Sequence, residues 1–167
     1  MNLLKRYSTV LAASGVLVAA SLTVPSSWGP AADASTGSLC SRVSPRTVAS
    51  TLGVKIAHVS KVVNGNVTVC WYQIGSLTHA AFIRSQTGDN LAGFTADQKL
   101  AGTYHENPKS DPNFKPNKAF STTLGSATYG YTYSVEVLKN TTVIAAGATK
   151  VTLAKVEALA KKVAAAS

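Results

Sequence analysis

Acid is scarce in this chain: seven Asp and Glu stand against sixteen Lys and Arg, giving +9 at pH 7. Charge of either sign is thin, at 14%, while hydrophobic residues reach 46%. That balance excludes an intrinsically disordered chain, which needs low hydrophobicity and high charge. Two cysteines are too few for a disulfide-rich miniprotein or a four-cysteine zinc site. No glycine-rich phosphate loop, dinucleotide fingerprint or Gly-x-Ser-x-Gly elbow occurs. Internal repeats are absent as well, and the length suits one domain.

What is present begins with an address. Lys5 and Arg6 precede an uncharged stretch whose apolar core is Val10–Val24, and Pro25, Gly29 and Pro30 follow. Ala32-Asp33-Ala34 is a small-x-small tripeptide, which predicts a signal segment over residues 1–34 with cleavage after Ala34, and one secreted domain over 35–167. The competing reading is an uncleaved anchor. The apolar core is about 15 residues, short of the roughly 20 needed to span hydrocarbon, so no stable membrane span is expected after cleavage. The excess of base survives that cleavage, since the segment holds only Lys5, Arg6 and Asp33. Gly37-Ser38-Leu39 precedes Cys40, and Leu39 stands where a lipobox needs a small residue, so lipidation is not expected. Export into an oxidising compartment predicts a Cys40–Cys70 disulfide, against the alternative of a reactive cysteine.

Ser44 and Pro45 suit the N-cap and first position of a helix over 45–52, and Gly53 suits its end. Val54–Val63 reads as a strand, Asn64-Gly65 as a hairpin turn, Asn66–Ile74 as the partner strand and Leu77–Ser85 as a third. Thr95-Ala96-Asp97-Gln98 matches a capping box for a short helix ending at Gly102. Tyr104–Lys118 holds Pro108, Pro112 and Pro116 among several Asn, and predicts an irregular exposed loop. Strand signals resume over Ala119–Leu124, Thr128–Leu138 and Thr141–Ala148, and Thr152–Ala165 is helical with Leu153, Val156, Ala160 and Val163 on one stripe. The expectation is an α+β fold: about six antiparallel strands, a C-terminal helix packed on one face and a short N-terminal helix.

Leu39-Cys40, Thr51-Leu52-Gly53, Cys70-Trp71-Tyr72 and Leu159-Ala160-Lys161 together resemble a pattern in a group of small actinobacterial exported proteins and lipoproteins of unknown function. Some of that group look like the extracellular sensor domains of bacterial Ser/Thr kinases, though no kinase segment accompanies this chain. The resemblance supports the disulfide and the fold, and transfers no catalytic residues.

Chemistry is sparsely marked. His58, His79 and His105 are the only histidines; His58 and His79 fall in expected strands and read as ordinary strand residues, with a metal pair as the alternative lacking a third ligand. The carboxylates of 35–167 form no evident acid/base pair of the kind glycoside hydrolysis needs. No catalytic residue, metal or cofactor is assigned, and the expectation is a non-enzymatic binding or sensing module. Tyr129, Tyr131 and Tyr133 fall on one strand face with Val135 and Val137, either as core beneath the C-terminal helix or as a stacking platform for sugars. Lys99, Lys109, Lys115 and Lys118 surround Tyr104, Phe114 and Phe120, a basic region with aromatics that suits a polyanion. Its competing reading is a solvated surface that aids solubility. The candidate ligand-binding residues are Tyr104, His105, Lys109, Phe114, Lys115 and Lys118. Nucleic acid is a poor partner for an exported protein; an anionic cell-envelope polymer or an envelope protein fits better, with the chain a monomer in the extracellular space or at the cell wall. Two other readings stay open: a small secreted hydrolase using His79 or His105, and a protease inhibitor presenting the 104–118 loop.

Overall fold

The computed structural model describes residues 39–75, 80–104, 106–126, 128 and 130–167. The expected signal segment, 1–34, lies outside the described residues. Two short helices come first, α1 (Leu39–Arg42) and α2 (Pro45–Leu52). The cap signals of α2 act as expected: the Thr47 amide donates to Ser44 Oγ at 3.2 Å, and Gly53 takes the left-handed conformation at φ 69°. Strands β1 (Ile56–Asn64), β2 (Val67–Ile74) and β3 (Ala80–Thr87) follow as a meander. Its first turn is centred on Gly65-Asn66, one residue later than the sequence suggests, because Asn64 pairs with Val67 as the last rung. Gly65 supplies the positive φ at the first central position.

Helix α3 runs over Leu91–Thr103. It starts well before the Thr95 capping box, because the Asn90 side chain accepts from the Gly93 amide at 2.9 Å and caps it there. The segment expected to be irregular contains a two-residue strand, β4 (Lys109–Ser110), and a 3₁₀ turn over Pro112–Phe114. Strands β5 (Lys118–Ser126), β6 (Gly130–Lys139) and β7 (Thr142–Thr149) and helix α4 (Leu153–Ala166) complete the fold. The sheet therefore has seven strands rather than six, in the order β1-β2-β3-β7-β6-β5-β4, with every neighbouring pair antiparallel. The last strand lies between two meanders and joins them.

On one face, α4 turns Val156, Leu159, Ala160 and Val163 onto β6 and β7, where they meet Val135, Val137, Ile144 and Ala146; Cys70, Tyr72 and Ile83 extend that core. Lys139 Nζ donates to the Ala164 carbonyl at 2.8 Å and satisfies an end of α4 that would otherwise lack a partner. Cys40 of α1 and Cys70 of β2 form the disulfide. The bond fixes α1 to the sheet; α2 follows it in the chain. On the other face, α3 covers only one end, through Phe94 and Ala101 over Phe120, Leu138 and Val143. The Phe94 and Phe120 ring centroids lie 5.1 Å apart.

Strand β7 is buried along Val143–Ala148, yet its residues are mostly small. Its neighbours do the covering. Arg84, Ala145 and Glu136 are side by side on β3, β7 and β6, and Arg84 Nη2 reaches Glu136 Oε2 at 2.9 Å over the alanine. Phe82 lies over Gly147 in the next row: a Cβ there would come within 2.3 Å of the ring, so only glycine admits this approach.

Candidate functional site

The basic region named from the sequence maps onto the β4 edge of the sheet and the turn that follows. Lys109 pairs across from Ser121, and Ser110 across from Phe120. The Asp111 amide donates to the Ala119 carbonyl at 2.9 Å, and Asp111 Oδ1 accepts from the Asn113 amide at 2.9 Å, which shapes the turn into 3₁₀ form. The Thr123 amide donates to the Glu106 carbonyl at 2.7 Å, further fastening the segment to β5. What reads as a loose proline-rich loop is a tethered rim.

This rim sorts the expected site residues. Lys109, Lys115 and Lys118 are exposed, and no ion pair holds any of them among the described residues. Tyr104 follows the last turn of α3 and is 44% exposed. Phe114 is 5% exposed and packs into the α4 core, with Lys161 Nζ 5.7 Å from its ring centroid. Its ring anchors the rim and is not presented on it. Phe120, the other aromatic of that cluster, is buried beneath α3. His105 lies outside the described residues, as does His79.

Beneath the rim, Asp111 is buried and its Oδ2 has no hydrogen-bond partner. The Glu157 carboxyl of α4 is pushed above the ordinary carboxylate value, first by burial and then by the Asp111 charge, with Lys161 acting in the opposite sense. The two carboxyls repel across the contact between the 3₁₀ turn and α4, and it is the buried Phe114 ring that joins those elements. Among the described residues, no three His, Cys, Asp or Glu side chains gather in a way that could hold a metal ion. His58 is exposed on β1 beside an irregularity in the β1–β2 register.

The tyrosine row divides along its length. Tyr133 packs partly against the core with Val135 and Val137, as the core reading expects, while Tyr131 emerges exposed, its ring centroid 6.0 Å from that of Tyr133. Tyr129 lies outside the described residues. The side chains that sequence reasoning passed over sit on the opposite face: Trp71, Phe82 and the Arg84–Glu136 pair. The alternation of β2 and β3 marks them as one face, but nothing local tells that α3 stops short of them.

No protein-family model, curated protein or solved structure matches the chain. Among the described residues, no helix is long and apolar enough to cross a membrane.

Proposed function

We propose that this protein is an exported, non-enzymatic binding module that holds an anionic polymer of the cell envelope against the rim over residues 104–118. The observation that carries the reading is the trio Lys109, Lys115 and Lys118: three exposed ammonium groups on one tethered stretch, with no carboxylate paired to them among the described residues. A fixed rim presents its charges without first ordering a flexible loop, so less binding energy is lost to immobilisation. A repeating polyanion would meet several of these charges at once, and its affinity would fall as salt screens them. The Cys40–Cys70 bond suits a small domain that works outside the reducing interior of the cell.

The test is retention on purified cell-wall material. Near an anionic surface each lysine contributes about 1 kcal/mol, so the Lys109→Ala/Lys115→Ala/Lys118→Ala variant should bind about a hundredfold more weakly at low salt. Retention of the unaltered chain should fall steeply as salt is raised. Equal retention of the two proteins, or retention indifferent to salt, would remove the rim as the contact surface.

A further inference from the structure

The open half of the α3 face carries a second arrangement, unlike the rim in both charge and chemistry. Trp71 of β2 and Phe82 of β3 are direct neighbours in register, with ring centroids 5.4 Å apart and planes tilted by 51°. Both are partly exposed, and neither belongs to the two core clusters. The same row continues through Gly147 and Ser134 to Thr122, and the last two hydroxyls meet at 2.7 Å. On one side of this row lies the Arg84–Glu136 pair. On the other lie Thr132 and Thr149, whose hydroxyls meet at 3.1 Å.

Each of these two large aromatic side chains keeps part of its surface in water, and covering it is favourable. Here they adjoin groups that both donate and accept hydrogen bonds: serine and threonine hydroxyls, a guanidinium and a carboxylate. The guanidinium and carboxylate cancel, so this patch is neutral in a chain with a large excess of base. A polyanion gains nothing from a neutral patch. A purely apolar partner would strand the hydroxyls and the ion pair without water, each at a desolvation cost. The ligand that fits has apolar C–H faces to lie on rings, and hydroxyls around its edge to exchange bonds with the flanking rows.

We propose that the Trp71–Phe82 face is a subsite for a neutral sugar ring, with the aromatic pair stacking the ring and Ser134 and the Arg84–Glu136 pair meeting its hydroxyls. Gly147 is part of the device, because any side chain there would lift Phe82 from β7 and break up the platform. The subsite stands independently of the lysine rim.

Trp71 makes the test direct, since Trp28 is the only other tryptophan in the chain. Maltotetraose and tetra-N-acetylchitotetraose are titrated into the full chain while tryptophan emission is followed, with a Trp71→Phe variant identifying the Trp71 signal. A saturable shift of Trp71 emission by at least one tetrasaccharide, unchanged by added salt, is expected. Phe82→Leu should weaken it about tenfold, the scale of one lost ring contact. Thermal melts of both variants establish that they are folded, and Ser134→Ala, which leaves the rings in place, should also weaken binding. The Lys109→Ala/Lys115→Ala/Lys118→Ala variant should respond to sugar as the unaltered chain does. No saturable shift with either sugar, or a shift that Phe82→Leu and Ser134→Ala both leave intact, would overturn the proposal. Loss of salt-sensitive wall retention with the sugar response preserved would instead strike only the rim.

Discussion

Tyr72 shows how one residue carries both packing and a pH response. Its ring is wholly buried in the α4 core, and its hydroxyl donates to the Val43 carbonyl at 3.2 Å. Burial pushes its phenol up from 10.0 to about 12. An unfolded chain would release that proton near pH 10, while the folded one holds it until about pH 12. The associated stability is therefore intact below pH 10 and is lost as pH rises from there through the folded value. Tyr72→Phe should cost about 1 kcal/mol at neutral pH, through the lost hydrogen bond and the Val43 carbonyl left without it. It should also flatten the alkaline fall, so that the stability gap between the two proteins narrows at high pH. Thermal melts of both proteins across that range decide the matter; a gap that stays constant would show that this phenol does not drive the alkaline loss.

Among the elements, α1 depends most on a single bond. It is four residues long, below the length at which a helix holds itself together, and Cys40 ties it to the central part of β2. In the chain-entropy picture a crosslink between residues 30 apart contributes about 3–4 kcal/mol. Cys40→Ala/Cys70→Ala should lower the urea midpoint accordingly and free α1 and α2 first, read as early loss of amide protection over Leu39–Leu52. Uniform loss across the whole sheet would contradict that order. Helix α2 was legible residue by residue because Ser44, Pro45 and Gly53 act locally. Helix α3 is legible only in part: Asn90 begins it, whereas the capping box at Thr95 marks a later start. Strand β4 has no local signal at all, since two residues become a strand only by pairing with β5. The site divides the same way. The exposure of Lys109, Lys115 and Lys118 follows from their own chemistry, whereas the burial of Phe114 follows from α4, a distant element. The adjacency of Trp71 and Phe82 follows from the β2–β3 register, and their exposure from how far α3 reaches.

Across the whole molecule the two meanders meet at one place. Strand β7 pairs with β3 on one side and β6 on the other, and every residue over Val143–Ala148 is buried. The slowest amide exchange should therefore lie on β7 and the facing rungs of β3 and β6, at rates set by global unfolding, while β1 and β4 at the sheet margins exchange far sooner. Hydrogen exchange followed by mass spectrometry tests this; comparable protection on β1 and β7 would mean that the sheet does not open from its margins. Of the two proposed contact surfaces, the lysine rim lies at the β4 end, away from this seam, while the aromatic face reaches onto it through Phe82 over Gly147.

That seam has a consequence for how the nascent chain acquires its shape. A ribosome delivers β1 through β6 before it delivers β7, so the two half-sheets each wait with a bare strand facing outward. The β4–β6 half is sealed by a local hairpin once β7 emerges, since Lys139 pairs with Thr142, but the β1–β3 half must wait for that same late strand, and pairing it with β3 spans more than fifty residues of chain. The polypeptide is thus held back from its final form until synthesis is nearly over, and a chain that stops before Thr142 would leave two sticky ribbons in place of one smaller domain.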